Sequence, residues 1–372
     1  MLRQRQADVE ERILRGTASA AGNTPGRRCG ATNFGPLANG LLAKLNKRKA
    51  KWQIWSIERR ENLLEDHPYL QKYVDGEVTN KEMFDYYLTS LIDPSISPKF
   101  APKTTEETTF ARQWGLNVAV RDIKKVVNVA NRGGRKVVLG GHSLGGSITT
   151  AYATWDFNGK AGARDLDGLV FIDGAGGGRD AAERPGKESP LIPAELKPPV
   201  PSTNLAQYGY AVDSDTGPES LRLVQSHIGQ LADSGEPRFW VNGELGTATR
   251  AARVFAEKDG MDGTSWYHPT RLSIDAGSID NGNENPAQGV YGVKATRGKR
   301  VKLPMYSFDA ELGNGRVAEA TRGLAKQSGV PDRMIRTVNR AKTYAHIDPL
   351  SALPTKNDFI KTLVPFLRKQ IR

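Results

Sequence analysis

The sequence predicts an α/β fold in which a mostly parallel central sheet is flanked by helices. Short apolar runs alternate with longer amphipathic segments through its middle and C-terminal parts. The runs KVVLGG, LDGLVFIDG and LPMYSF have the length and apolar content of buried strands. Strands that alternate with helices pair in parallel, and helices then cover both faces of the sheet. The 372 residues suffice for one large domain with an insertion, or for two domains.

The first half of the chain supplies the elements up to the second strand of this sheet. Residues 1–32 are polar and rich in Gly, Ala and Arg, and we predict irregular structure there. From Phe34 apolar residues recur at helical spacing, and WQIWSI at 52–57 predicts a strand. An amphipathic helix is predicted from Trp114 to the NRGG break. KVVLGG then follows as a strand, LGGSITTAYATWDF as a helix, and LDGLVFIDG at 166–174 as the next strand.

The region after this strand has a different character. Prolines cluster in SPLIPAELKPPVP, and Gly and Asn cluster in DAGSIDNGNENPAQG, with only brief periodic segments between them. We therefore predict an insertion that forms a cap over the sheet. LPMYSF at 303–308 resumes the strand pattern, and helices follow near 316–328 and 357–370. The predicted organisation is an irregular segment 1–32, an α/β core made of 33–173 and 301–372, and a cap or lid at 174–300.

Composition and charge exclude several classes of protein. No apolar run approaches the roughly 20 residues that a membrane helix needs, so we expect no membrane span. The net charge of +12 is spread along the chain, without a finger, an RNA-binding sheet motif or a basic reading helix, and we expect no nucleic-acid partner. A single cysteine, Cys29, excludes an internal disulfide. The N-terminus lacks the apolar core of a secretory signal, which makes a cytoplasmic location the default expectation.

One serine stands between glycines where a predicted strand meets a predicted helix. Gly141, His142, Ser143, Leu144 and Gly145 fit the pattern G-x-S-x-G. A serine hydroxyl is a poor nucleophile unless it is exposed to substrate and a base takes its proton. A sharp strand-to-helix turn provides the exposure, and its crowded backbone favours small residues on either side. The sequence predicts that Ser143 is a nucleophile, and the alternative is an ordinary Gly-rich connection.

GGHSLGG between a strand and a helix resembles the nucleophile elbow of the α/β-hydrolase superfamily. The order of the other parts is similar: IWSIERREN resembles the exit of strand 4, LDGLVFIDG strand 6, LPMYSF strand 7 and YAHIDPL the late histidine loop. The resemblance covers about residues 34–372. It implies an α/β-hydrolase fold with a cap, hydrolysis of esters through an acyl-enzyme, no metal or organic cofactor, and a small, hydrophobic ester as substrate.

The resemblance places the general base at His346. This histidine lies after the last strand-like region and before the C-terminal helix, where the family order of Ser, acid and His places it. The alternative is a surface histidine in the turn before Asp348 and Pro349. His142 is adjacent to Ser143, but consecutive residues at an elbow point apart, and we expect it to pack under the turn.

Three carboxylates are candidates for the triad acid. The acid accepts the second N–H of the histidine and must therefore follow a neighbouring strand. Asp309 and Glu311 follow LPMYSF, the usual location in the family, and Asp173 ends LVFI, a location that a minority of these enzymes use. We place Asp309 first, with Asp173 and Glu311 as alternatives. Asp173 has the alternative role of starting an Asp-Gly turn, and Asp309 that of capping a strand.

The oxyanion hole of such an enzyme needs two backbone N–H groups. On the family pattern Leu144, the residue after the nucleophile, supplies the first. The second comes from an early loop, and TPGRRCGATNF offers Gly26 or Arg27. No apolar strand precedes this loop, so either the N-terminal strands are missing or the edge of the sheet is built differently.

Two further functions remain open from the sequence. A non-catalytic protein of the same fold would bind a small ligand in the cap, having lost part of the oxyanion hole. An acyltransferase, peptidase or lactonase would use the same triad for a different reaction.

Overall fold

The structure is a computed structural model that describes parts of the chain between residues 34 and 371. The described residues are 34–47, 51–57, 59–60, 68–79, 82, 85–86, 90, 93–101, 110, 114–176, 200–201, 256–257, 260–261, 267–268, 270–310, 312–344, 348–352 and 354–371. They divide into two compact units. One unit holds those within 105–199, 269–346 and 361–372, and the other holds those within 1–104, 200–268 and 347–360.

A four-stranded parallel sheet forms the centre of the first unit. Its strands are β1 (Val138–His142), β4 (Gly168–Ile172), β9 (Met305–Asp309) and β10 (Ile335–Asn339), and they lie side by side in that order. All three pairings are parallel, and the register places His142 beside Ile172 and Ile172 beside Phe308. The carboxyl ends of β1, β4 and β9 are therefore level. The α/β class predicted from the sequence is confirmed in this unit.

Helices connect and flank these strands. They are α3 (Leu116–Ala130), α4 (Leu144–Thr154), α5 (Thr270–Gly277), α6 (Pro286–Tyr291) and α7 (Arg316–Ser328), with the end of α9 (Asp358–Gln370). Between α4 and β4 lie a short antiparallel ladder, β2 (Asp156–Phe157) with β3 (Lys160–Ala161), and a 3-10 turn, Gly162–Asp165. Two more 3-10 turns, Gly298–Arg300 and Asp332–Met334, precede β9 and β10.

Both faces of the sheet are covered. Every residue of β4 and β9 is buried, which is the pattern of central strands in a sheet between two helical layers. On one face Leu169 and Met305 belong to an apolar cluster with residues of α3, α4 and α7. On the other face the Tyr306 ring lies 5.5 Å from that of Phe366 in α9, and Phe308 lies 5.2 Å from Tyr344.

The helices of this unit begin and end for identifiable reasons. Buried residues of α3 include Leu116, Val120 and Val127, which recur at helical spacing. At its first turn the N–H of Leu116 donates to Asp275 Oδ2 in α5, at 2.9 Å. The C-cap of α7 is Gly329, which has a left-handed φ of 72° and donates its N–H to the last carbonyls of the helix. No described helix is long and apolar enough to cross a bilayer.

The second unit contains shorter elements. They are α1 (Gly35–Leu45), α2 (Pro68–Asp75), α8 (Asp348–Ser351) and two small antiparallel ladders, β5 (Val200–Pro201) with β8 (Tyr267–His268), and β6 (Ala256–Glu257) with β7 (Gly260–Met261). Leu37, Leu41 and Leu45 form the buried face of α1. A Cβ at Gly40 of the same helix would lie 2.6 Å from Ile360 Cδ1, so a larger residue there would require the Ile360 side chain to shift.

The strand predicted at 52–57 is wrong. Residues 51–57 have no regular secondary structure and lie in the second unit rather than in the parallel sheet. The main chain of Trp52 is bound by a side chain instead of a neighbouring strand: its N–H donates to Asn46 Oδ1 at 2.8 Å, and its carbonyl accepts from Asn46 Nδ2 at 3.2 Å. Alternation of apolar residues therefore reflects partial burial of a loop that Asn46 holds in place.

Truncation of Leu324 tests the packing of α7 on the sheet. This side chain is 1% exposed and belongs to the apolar cluster. We expect Leu324→Ala to lower the free energy of unfolding by about 2–5 kcal/mol, because it removes buried methyl groups and leaves a cavity. Chemical denaturation measures the loss. Lys326→Ala, an exposed position on the same helix, is the control, and an equal loss in both variants would contradict the packing described here.

Candidate active site

Ser143 occupies a sharp turn between β1 and α4. Its backbone angles are φ 55° and ψ −125°, which a residue with a side chain rarely adopts. Two hydrogen bonds hold this conformation: the Ser143 N–H donates to the Ile172 carbonyl at 3.0 Å, and the Ser143 carbonyl accepts from the Gly146 N–H at 2.9 Å. The conformation is therefore imposed by contacts with β4 and with the first turn of α4. Such a strand, strained serine and helix form an elbow.

The glycines around the elbow permit its close main-chain contacts. A Cβ at Gly141 would lie 2.0 Å from the Gly145 carbonyl oxygen, and one at Gly146 would lie 1.8 Å from the Gly174 oxygen. A Cβ at Gly174 would in turn lie 1.9 Å from the Ser143 oxygen. Among the described residues outside its own helix, none lies within 4 Å of a Cβ placed at Gly145. The expected crowding is therefore present at Gly141, and no described residue produces it at Gly145.

The first turn of α4 presents backbone N–H groups beside the serine. Leu144 is the first residue of the helix, and an N–H at this position has no acceptor within its own helix. Partial positive charge at a helix N-terminus favours a negative oxygen nearby. The role of Leu144 as one oxyanion donor stays a prediction. Gly26, the predicted second donor, lies outside the described residues.

Two carboxylates lie at the carboxyl ends of β4, which neighbours the elbow strand, and of β9, which is one strand further along the sheet. Asp309 is the last residue of β9, and Asp173 directly follows β4; they are 0% and 2% exposed. Since Ile172 pairs with Phe308, the residues that follow them are level. A Cβ at Gly313 would lie 2.4 Å from Asp173 Oδ1 and 3.1 Å from Asp309 Oδ1, so both side chains reach the same point. The predicted acid and one of its alternatives thus form a buried pair.

Backbone N–H groups bind both members of this pair. Asp309 Oδ1 accepts from the Val317 N–H at 2.9 Å, and Oδ2 accepts from the Ala318 N–H at 3.1 Å. Both donors belong to the first turn of α7, where a carboxylate is favoured by the helix dipole. Asp173 Oδ1 accepts from the N–H groups of Ala310 and Gly313 at 2.7 and 2.8 Å. Asp309 therefore caps a helix, and Asp173 binds the loop before it.

Burial raises the pKa of the Asp309 carboxyl above its ordinary value. The hydrogen bonds from α7 act in the opposite direction, and the negative charge of Asp173 adds to the increase. Ionisation of Asp309 therefore costs free energy in the folded protein.

The remaining histidine, glutamate and glycine of the predicted site are His346, Glu311 and Gly26. His346 and Glu311 lie outside the described residues, as Gly26 does. His142, at the end of β1, is half-buried. Within the described ranges, no group of three or more His, Cys, Asp or Glu side chains is arranged to hold a metal ion.

Sequence reasoning missed Gly146, Gly174 and Gly313 as parts of the site. The first two follow the elbow and the strand β4, and their Gly-Gly and Asp-Gly surroundings are the only local signal. Gly313 lies in the turn LGNG, where Asn314 and Gly315 have positive φ angles of 43° and 90°. Turn residues were recognisable there, but the approach of a carboxylate from another strand was not.

Exchange of the two elbow glycines tests the crowding. We expect Gly141→Ala to lower the melting temperature, because its Cβ would overlap the Gly145 carbonyl. Gly145→Ala is the matched control: it meets open space within a helix, where alanine is favoured over glycine by about 1 kcal/mol. Thermal unfolding followed by circular dichroism compares the two, and equal melting temperatures would contradict the contact.

The raised pKa of Asp309 predicts a dependence of stability on pH. A carboxyl whose pKa is higher in the folded state favours folding while it is protonated, and that contribution is lost as the pH rises through the folded-state pKa. Asp309→Asn cannot ionise. We therefore expect the melting temperature of wild type, relative to this variant, to fall as the pH rises from acidic towards neutral values. A constant difference across the pH series would contradict the assignment.

Comparison with known proteins gives no matching family model and no matching curated protein. Among solved structures, the chain is similar to a monoacylglycerol lipase of Paleococcus ferrophilus, with 14% identity, coverage of 69% of this chain and 76% of that chain, and a TM-score of 0.33. It is also similar to a variant of tomato methylketone synthase I complexed with beta-ketoheptanoate, with 13% identity, coverage of 73% and 83%, and a TM-score of 0.32. The described part of the chain has the fold class predicted from the sequence, a parallel sheet flanked by helices, with an elbow at Ser143.

Proposed function

We propose that the chain is a serine hydrolase that cleaves a carboxylic ester through an acyl-enzyme on Ser143. The observation that carries this proposal is the state of the serine itself. A serine before a helix ordinarily turns its Oγ onto an N–H of the first turn and takes extended backbone angles. Ser143 has a strained backbone with φ 55°, and its side chain makes no cap hydrogen bond. Strain of this kind costs about 1–3 kcal/mol and is typical of functional positions.

The proposed reaction has two steps. Ser143 Oγ attacks the ester carbonyl carbon while its proton passes to His346, and the oxygen of the carbonyl becomes negative. The bond to the alcohol then breaks, and the alcohol leaves with the proton from His346. Water attacks the acyl-enzyme by the same route in the second step, which releases the carboxylic acid and restores the serine.

Each remaining role in the proposal has one first candidate. The N–H of Leu144 stabilises the negative oxygen, supported by its place at the start of α4, and Gly26 is the candidate for the second donor. Asp309 orients His346 and stabilises its positive charge, with Asp173 and Glu311 as alternatives. Support for Asp309 comes from its place at the carboxyl end of β9, level with the elbow. No metal or organic cofactor enters this reaction.

The proposed substrate is a small ester with a hydrophobic acyl or alcohol part. Its binding would fall to the predicted cap, 174–300, of which 177–199, 202–255, 258–259, 262–266 and 269 lie outside the described residues. The described segment from Thr270 packs on the core helices: α5 contacts α3 and α4.

Fluorophosphonate labelling tests the nucleophile. The probe forms a covalent bond with an activated serine, so we expect wild type to be labelled and Ser143→Ala to remain unlabelled. Ser147→Ala is the matched control, because Ser147 lies one turn further along α4 and its Oγ donates to the Ala175 carbonyl at 3.1 Å. Labelled protein is counted by mass spectrometry of the intact chain. If wild type is labelled no more than Ser143→Ala, the hydrolase proposal fails and a ligand-binding protein is favoured.

A further inference from the structure

Asp173 is placed differently from a carboxylate that only starts a turn. It follows β4 with a left-handed φ of 46°, and its side chain is 2% exposed. Its Oδ1 accepts two hydrogen bonds, from the N–H of Ala310 at 2.7 Å and from the N–H of Gly313 at 2.8 Å. Both donors belong to the connection between β9 and α7. A single oxygen on one strand therefore binds two points of the loop that leaves the next strand.

The loop that Asp173 binds adjoins one candidate for the triad acid and contains another. It begins directly after Asp309 and contains Glu311 between the two bound amides. Asp309 uses its two oxygens on a different target, the first turn of α7. Asp173 therefore holds the loop in place, and Asp309 holds the helix that follows it.

Placing these two carboxylates together has an electrostatic cost. Both are buried, and each would be stabilised by water if the loop moved away. Backbone N–H groups of the loop and of α7 bind both aspartates and compensate for the lost solvent. The cost of burying the two carboxyl groups together is therefore offset only while the loop and α7 keep these positions.

We propose that Asp173 is a positioning residue: by binding the N–H groups of Ala310 and Gly313 it holds the loop after β9 in the shape that presents the triad acid to the histidine. This inference rests on the proposed hydrolase function and assigns Asp173 a role other than that of the acid. It predicts that hydrogen-bond acceptance at position 173 matters for turnover and that negative charge there does not.

Two substitutions at position 173 separate these properties. Asp173→Asn keeps an oxygen that can accept from both amides, loses the charge, and suits a left-handed backbone. Asp173→Gly also suits that backbone but has no acceptor. With p-nitrophenyl butyrate as substrate, we expect Asp173→Asn to retain kcat within about tenfold, and Asp173→Gly to lose about 10²-fold in kcat with little change in KM, as for a misplaced catalytic group.

Asp167 provides a matched control at the opposite end of β4. Its Oδ2 accepts from the Val137 N–H at 2.8 Å, next to the amino ends of β1 and β4. Asp167→Ala removes a comparable carboxylate-to-amide bond, so we expect a lower melting temperature and an unchanged kcat. Loss of kcat in this control as well would mean that the effect at 173 is one of general stability.

A double-mutant cycle tests whether Asp173 acts through the acid. Asp309→Asn and Glu311→Gln each remove one candidate for the triad acid. In the variant that has lost the acid, we expect Asp173→Gly to cause a smaller further loss of kcat than in wild type, because the effects of coupled residues are not additive. Amide hydrogen exchange across 310–313 supplies a measurement that does not need activity, and exchange should accelerate in Asp173→Gly. If Asp173→Gly fails to fold, Asp173→Ser replaces it in both experiments. The serine oxygen lies one bond closer to the main chain than a carboxylate oxygen.

Four results would overturn the inference. A loss of about 10⁴-fold in Asp173→Asn would make Asp173 itself the triad acid. Full kcat in Asp173→Gly, or full additivity in the cycle, would show that the loop needs no such support. If wild type hydrolyses the ester no faster than Ser143→Ala, the hydrolase proposal fails. Amide exchange at 310–313 that is unchanged in Asp173→Gly would show, independently of activity, that Asp173 does not hold the loop.

Discussion

Close contact between the main chains that leave β1 and β4 is the constraint on which the site depends. Parallel pairing brings the two strand ends level, and the Ser143 N–H completes the ladder by donating to the Ile172 carbonyl. Beyond that point the two main chains are in direct contact. A Cβ at Gly174 would overlap the main chain of Ser143, and a Cβ at Gly146 would overlap that of Gly174. The unusual backbone of Ser143 is therefore a consequence of tertiary packing, and the turn cannot relax while β4 stays paired.

The same edge of the sheet extends this constraint to β9 and α7. Asp173 leaves β4 and binds the loop after β9, and Asp309 leaves β9 and binds the helix after that loop. Each element is thus held by the strand before it in the order β1, β4, β9. Since buried carboxylates are tolerated only when donors replace water, the position of α7 is specified by these hydrogen bonds as well as by its apolar face.

Periodicity and glycine patterns predicted the elements whose burial is visible along the chain. The helix expected at 316–328 has the bounds of α7, LDGLVFIDG contains β4, and KVVLGG and LPMYSF each end one residue before the end of β1 and β9. Strand β10 was missed because it is an edge strand whose residues IRTVN are mostly half-buried or exposed. The elbow was predicted from G-x-S-x-G, but the pairing of Asp173 with Asp309 depends on strand order and register, which no local pattern contains.

Backbone strain is distributed unevenly between ordinary turns and the carboxyl edge of the sheet. Among the described residues, five other than glycine have positive φ, and three of them are Asn158, Asn281 and Asn314, the residue type that tolerates this region best. The other two are Ser143 and Asp173, which follow neighbouring strands. Turns need only a residue that adopts left-handed angles cheaply, and asparagine or glycine would serve. A serine and a buried aspartate at two such adjacent positions indicate that the side chains, and not the turns, determine the choice of residue at this edge.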